Sequence, residues 1–312
     1  MNDLKIAIVG IGATGSVLAA ALLSKYPETF LIGRRPEQGD DLRKKGINIS
    51  GAIDYQAEVN NFSDRIGDLK AFRPTVIFLC TKTFHLEQVL KDLQDVYTPG
   101  TKIVSTHNGL GTEDLIAAEF GKENVFRMSL NYGVAVKGTG EGQVAFFNRP
   151  NHLGCLTGEN RKIGSQIAEL ITDCGLDTEF VEDIKLFVWK KMIMKCTLAS
   201  IGAVTDRTIK ESLEFPPTRE IADACFIEAL AVAKAMGYDL GEDYLVQALG
   251  YLEKVGGHKD SMCHDIQNKT PTEIDFLGAK IVDYARAKGI SVPIYTTMTN
   301  LIKAMEDSYL GK

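Results

Sequence analysis

Lys5-Ile6-Ala7-Ile8-Val9-Gly10-Ile11-Gly12-Ala13-Thr14-Gly15 is the stretch on which the fold turns. An apolar run of strand length leads straight into Gly-x-Gly-x-x-Gly, and Thr14 to Lys25 (TGSVLAAALLSK) then reads as a helix. The glycine pattern alone arises often by chance. Between a strand and a helix it reads as a dinucleotide-binding turn. Gly10 then makes the tight turn, Gly12 lets backbone approach a pyrophosphate, and Gly15 lets helix and strand pack closely. Free N–H groups at the helix start, around Ala13 and Thr14, would hold the phosphate charge. The competing reading is a glycine turn without a ligand.

Further strands lie at Thr29 to Ile32 (TFLI), Thr75 to Leu79 (TVIFL) and Lys102 to Ser105 (KIVS), with a helical pattern over Leu86 to Tyr97. Strand and helix alternating in this way predict a doubly wound, mostly parallel sheet with right-handed crossovers. The glycine-rich stretch Val125 to Leu156 predicts hairpins at the sheet edge. After Asp183 the texture becomes helical, over Ile184 to Val204, Thr218 to Met236, Tyr244 to Lys254, Thr272 to Lys288 and Ile294 to Tyr309. The expectation is an α/β Rossmann-type domain over residues 1–182 and an all-α domain over 183–312.

Charge and cysteine usage narrow the function. The 35 Lys and Arg against 41 Asp and Glu give a net charge of −6, the wrong sign for a general binder of nucleic acid or anionic membrane. Six scattered cysteines, with no CxxC pair, read as reduced thiols of a cytoplasmic protein. The opening Met1-Asn2-Asp3-Leu4-Lys5 lacks a signal-peptide ramp, and no run approaches the ~18 apolar residues of a membrane span. A helical second domain would suit a homodimer, which nothing in the sequence specifies.

Several side chains stand where chemistry is done. The second strand ends in Gly33-Arg34-Arg35 rather than in an acidic residue. Guanidinium forks suit a ribose 2′-phosphate, which favours NADP(H) over NAD(H), unless the arginines are simply solvated. Cys80-Thr81-Lys82 and Thr106-His107-Asn108-Gly109-Leu110-Gly111 follow strands at their carboxyl ends, where open α/β sheets bind ligands. Lys82 and Asn108 could bracket a nicotinamide ribose and an anionic substrate, or only decorate loops. Lys191, Lys195, Ala199 and Ala203 share one helix face beside Met192, Ile193 and Met194. A cleft lysine acting as an acid and a pair of snorkelling surface lysines both satisfy that pattern. Thr270-Pro271-Thr272-Glu273 has the form of a capped helix start, which would make Glu273 an ordinary first-turn carboxylate. His258, Cys263 and His264 match no zinc spacing. Tyr284 and Lys288 have the YxxxK spacing of short-chain dehydrogenases but fall in the helical region, and read there as a helix surface.

Taken in order, Gly10-x-Gly12-x-x-Gly15, Arg34, Cys80-Thr81-Lys82, Asn108-Gly109-x-Gly111, Trp189-Lys190-Lys191, Ser261-Met262-x-x-Asp265-Ile266 and Thr272-Glu273-Ile274-Asp275 resemble the ketopantoate reductase (2-dehydropantoate 2-reductase) family. The resemblance implies NADPH-dependent reduction of a 2-oxo acid in a cleft between the two domains. It implies Lys191 as the general acid and Glu273 as a hydrogen-bonding partner that orients lysine or substrate. Asn108 and Lys82 match positions near the nicotinamide and substrate, Ser261 a substrate-carboxylate contact, and Arg34 the 2′-phosphate contact. Two family asparagines are Lys195 and Ala199 here, and a third is His258. Losing amide partners changes substrate reading by ~1–3 kcal/mol per unpaired group. Ketopantoate is the first candidate substrate, and the runner-up is a different 2-oxo acid whose second anionic or carbonyl group Lys195 would meet. A non-catalytic NADP(H)-binding regulator is the alternative from another class, disfavoured because a sensor needs neither Lys191 nor Glu273.

Overall fold

All four residues of β1 (Ile6–Val9) are buried, as expected of a strand covered on both faces. The structure, a computed structural model, describes residues 4–311. The remaining strands are β2 (Phe30–Ile32), β3 (Ile47–Gly51), β4 (Tyr55–Ala57), β5 (Asn61–Ser63), β6 (Val76–Leu79), β7 (Lys102–Ser105), β8 (Val125–Ser129), β9 (Tyr132–Gly138), β10 (Glu141–Phe147), β11 (Asn151–Cys155) and β12 (Thr178–Phe180). Eight of them form one sheet in the order β12-β11-β8-β7-β6-β1-β2-β5. Every neighbouring pair in it is parallel except β8 with β11. The order runs outward from β1 in both directions, the doubly wound pattern.

Alternation along β1 divides the core. Ile6 and Ile8 face one layer, with the helix Ala13–Leu23. Ala7 and Val9 face the other, with Leu86, Val89, Leu90 and Leu93 of the helix Leu86–Gln94. Those last four residues recur at intervals of three and one, then three, which makes one apolar stripe of a helix. Ala13–Leu23 is different, being buried at every position from Gly15 to Leu23. A second sheet explains why. Its order is β4-β3-β10-β9, and Ile47, Ile49, Tyr132 and Val144 from its strands join the same core as Val17 to Leu23. The helix is thus covered on both sides.

This second sheet corrects the reading of Val125 to Leu156 as edge hairpins. β9 and β10 do form an antiparallel hairpin, but it pairs with β3, while β8 and β11 belong to the main sheet. The chain divides into two compact units. The first runs to His107 and resumes over Thr112–Ile184, and the second comprises Asn108–Gly111 and Lys185 onward.

The second unit is helical, over Ile184–Thr205, Ile209–Glu214, Pro216–Ala235, Tyr244–Val255, Ser261–Gln267, Gly278–Lys288 and Pro293–Leu310. Prolines open two of these, where a missing N–H costs nothing, and Thr208 with Glu211 closes a reciprocal capping box on Ile209–Glu214. The expected single helix from Thr272 to Lys288 is broken. A 3₁₀ turn, Ile274–Phe276, comes first, Leu277 leaves helical geometry (φ −107°, ψ −108°), and the helix starts at Gly278. The short helix Ser261–Gln267 has no counterpart among the sequence expectations, being too brief to show periodicity.

Candidate active site

The glycine turn in the first unit has a distinct demand at each glycine. Gly10 lies at φ +100°, and a Cβ there would sit 2.7 Å from the Thr81 nitrogen. One on Gly15 would come within 2.0 Å of the Gly10 carbonyl oxygen. A Cβ on Gly12 would meet nothing within 4 Å, so backbone faces open space there. The helix that follows has no side-chain cap and no acidic residue in its first turn. Its leading N–H groups, with Ala13 and Thr14 at the start, therefore lack the usual side-chain acceptor. The Thr14 carbonyl accepts from the Tyr132 hydroxyl (3.0 Å), which ties this turn to β9.

Gln38, which no motif marks, organises the edge of this turn. Its amide donates to the Ile11 carbonyl (2.9 Å), and its Oε1 accepts from the Arg34 backbone N–H (3.1 Å). Arg34 and Arg35 are exposed. Arg34 is close enough for its charge to join burial in lowering the pKa of His85. Uncapped N–H groups, an open Gly12 and two exposed guanidiniums fit a phosphorylated dinucleotide.

Beneath the carboxyl ends of β6 and β7 lies a buried polar network that no motif marks. His107 Nδ1 meets Ser105 Oγ at 3.0 Å and His107 Nε2 meets Thr81 Oγ1 at 3.2 Å. Arg127 donates to the same Ser105 hydroxyl (3.0 Å) and pairs with Glu113 (3.5 Å), both side chains being almost fully enclosed. Burial first, then the Arg127 charge, pushes the His107 pKa down to about 3. His107 is therefore neutral at physiological pH. It links Thr81, the residue before Lys82, to the strand that precedes Asn108.

In the second unit, Lys191 donates to Asn108 Oδ1 at 2.9 Å. The loop bearing Asn108 is seated at three points. The Gly109 N–H meets Met192 Sδ (3.1 Å), the Leu110 N–H donates to the Phe276 carbonyl (2.8 Å), and Gly111 leaves no room for a Cβ beside Lys280 and Tyr284. Phe276 closes the turn that begins at Glu273, its N–H bonding the Glu273 carbonyl (3.0 Å). Asn108, Lys191 and the Glu273 turn thus share one packed framework. Glu273 is not an ordinary exposed first-turn carboxylate. It is only 8% exposed and precedes the 3₁₀ turn.

Lys195, one turn after Lys191, has its ammonium on Asp260 Oδ2 and Oδ1 (2.8 and 3.0 Å) and on Ser261 Oγ (3.1 Å). Both side chains of the pair are 13% exposed. Burial alone would raise the Asp260 carboxyl, but the Lys195 charge and hydrogen bonds from Lys195, Met262 and Ser261 bring it below its usual range. Asp260 also caps the helix Ser261–Gln267 through the Met262 N–H. An Asp before that helix is readable as a cap, but nothing local announces a lysine 65 residues away. Ala199 is fully buried. His258 donates from Nδ1 to the Val255 carbonyl (3.1 Å). Tyr284 is not a plain surface residue, since its ring packs on Trp189 with centroids 5.8 Å apart. No metal-binding group of His, Cys, Asp or Glu occurs among the described residues.

Two family models match the chain. Ketopantoate reductase PanE/ApbA covers residues 6–158 and its C-terminal counterpart covers residues 183–306. The chain belongs to the ketopantoate reductase family. The 2-dehydropantoate 2-reductase of Pyrococcus abyssi is 27% identical over 97% of this chain and 98% of its own. That of Archaeoglobus fulgidus is 26% identical over 98% and 99%. Among solved structures, a 2-dehydropantoate 2-reductase from Geobacter metallireducens superposes with TM-score 0.89 at 21% identity, covering 96% of this chain and 99% of that one. D-mandelate dehydrogenase, solved with NADH and anilino(oxo)acetate, gives 0.86 at 23% identity, covering 98% and 100%. These structural likenesses establish the shared fold. None of the described helices is long and apolar enough to cross a membrane.

Proposed function

We propose that the protein is an NADPH-dependent reductase that converts a 2-oxo acid to a 2-hydroxy acid, with ketopantoate as the leading substrate and pantoate as its product. The observation that carries this reading is the Lys191 ammonium held on Asn108 Oδ1 in a loop seated against Met192 and Phe276. Such a donor is aimed by the protein before any ligand arrives, the arrangement that stabilises charge developing on an oxygen.

Gly10, Gly12, Ala13, Thr14 and Gly15 would hold the pyrophosphate of NADPH, Arg34 its 2′-phosphate, and Lys82 with Asn108 the nicotinamide end. When bound, NADPH supplies the hydride that reduces the substrate's 2-carbonyl carbon. Lys191 meets the charge that grows on the carbonyl oxygen and passes it the proton from Nζ. Asn108 fixes the direction of the ammonium, and Glu273, buried at the start of the turn that seats the Asn108 loop, would orient lysine or substrate. Ser261 serves the substrate carboxylate, and His258 and Lys195 belong to the part of the site that reads the rest of the substrate, whereas Ala199, expected there from the family pattern, is fully buried and offers a ligand no surface.

The relatives' names support ketopantoate as substrate and so a role in pantothenate synthesis; the scattered, unpaired cysteines support a cytoplasmic setting. A ketopantoate reductase from Staphylococcus aureus that shares this fold is dimeric, which supports a homodimer here. A different 2-oxo acid is the second reading, favoured by Lys195 and Ala199 standing where the family carries asparagines.

The test is NADPH oxidation followed by absorbance across ketopantoate, 2-oxoisovalerate and 2-oxo diacids. Turnover of ketopantoate well above the others supports the first reading. Turnover confined to another acid supports the second. Tight NADPH binding with no turnover on any of them would overturn the reductase assignment.

A further inference from the structure

The Lys195 ammonium is fully engaged inside the protein. Its three N–H groups have three acceptors within 2.8 to 3.1 Å, two on Asp260 and one on Ser261. The carboxylate is held in its charged form by that contact and by the Met262 N–H. A lysine one helical turn from the proton donor Lys191 would by itself add a positive charge beside the bound substrate, and would attract a second carboxylate. Asp260 cancels that charge in place.

We propose that Asp260 is a specificity-determining residue that restricts this enzyme to 2-oxo monocarboxylates, with an Asp260 oxygen of the neutralised pair left to accept a hydrogen bond from an uncharged polar group. The proposal deepens the reductase reading and rests on it for the place of Lys191. A second carboxylate brought to this end of the substrate meets a net charge of zero and the nearby Asp260 oxygens, which repel it. Discrimination here works by rejection: the pair leaves no unmatched cation for a diacid to reward.

Asp260 also caps a helix, so a substitution must keep that role while removing the charge. Asp260→Ser does so, since a serine oxygen is a good helix cap, and Asp260→Asn is its companion. For each variant and for the parent protein, kcat/KM is measured for 2-oxoglutarate and for 2-oxoisovalerate at low and high salt. The expected result is a diacid-to-monoacid ratio that rises at least tenfold in both variants. That gain should shrink at high salt and vanish when Lys195→Met is added. A ratio that does not move, or one that moves equally without Lys195, would overturn the proposal, since a merely structural cap would change both substrates alike.

Binding separates this proposal from the reductase reading. Isothermal titration calorimetry reads occupancy whether or not turnover occurs. If the parent protein reduces nothing, the reductase reading fails. Tighter 2-oxoglutarate binding by Asp260→Ser than by the parent would still support the charge-cancelling role. A parent protein that binds 2-oxoglutarate more tightly than 2-oxoisovalerate would overturn it, with no variant needed.

Discussion

His107→Gln should make the protein less sensitive to acid. In the folded chain the ring is buried, bonded to Ser105 and Thr81, and has a pKa of about 3 instead of 6.5. Because the folded value is the lower one, the unfolded chain binds the proton first as pH falls. The stability tied to neutral His107 is therefore complete above about pH 6.5, declines as pH drops toward 3, and levels off below it. Each pH unit inside that window is worth about 1.4 kcal/mol, so at pH 5 the loss attributable to this ring is about 2 kcal/mol. Glutamine can still accept from one hydroxyl and donate to the other, and it does not titrate. Urea unfolding followed by circular dichroism at pH 7.5 and pH 5 gives the drop for each protein. The parent should lose about 2 kcal/mol more than the variant between the two pH values. Carboxylates shared by both proteins cancel in that difference. Equal losses would refute the claim that the folded chain keeps His107 neutral beside Arg127.

Two further outcomes follow from the site. Lys191→Ala should lower kcat for 2-oxo acid reduction by ~10²–10⁴, the usual worth of a positioned acid, with binding still measurable by isothermal titration calorimetry. Arg34→Ala should reduce the preference for NADPH over NADH by roughly 10- to 100-fold, matching ~1.5–3 kcal/mol for hydrogen bonds to a charged group, as measured by the ratio of kcat/KM values.

Much of the first unit was legible because its signals are local. Buried parallel strands are short apolar runs, and β1 and β6 are buried at every residue. The glycine turn announces itself by spacing, and its three glycines answer to three different steric demands. The second sheet was hidden for the opposite reason. β3 pairs with β10 across some ninety residues of chain, and no local pattern encodes that register. The break before Gly278 was hidden too, because the turn Ile274–Phe276 borrows the apolar residues a helix would use. Lys191 and Asn108 stand out through motifs, but their hydrogen bond is set by a loop seated on Met192 and Phe276, which no motif marks. Asp260 and Gln38 act through partners distant in sequence or through backbone atoms, and neither leaves a signature in residue spacing.

The excursion of Asn108–Gly111 into the second unit bears on how this family can be recombined. The chain passes from one unit to the other at three separate places, after His107, after Gly111 and after Ile184. A helical half exchanged with a relative as a simple C-terminal cassette would arrive without four of its own residues, among them the asparagine that aims its lysine. A working chimera has to be spliced twice, once near residue 184 and once as a short graft inside the recipient's nucleotide-binding half. The two halves of the gene are accordingly not independent modules, and a lineage that drifts in one must be matched at this tetrapeptide in the other.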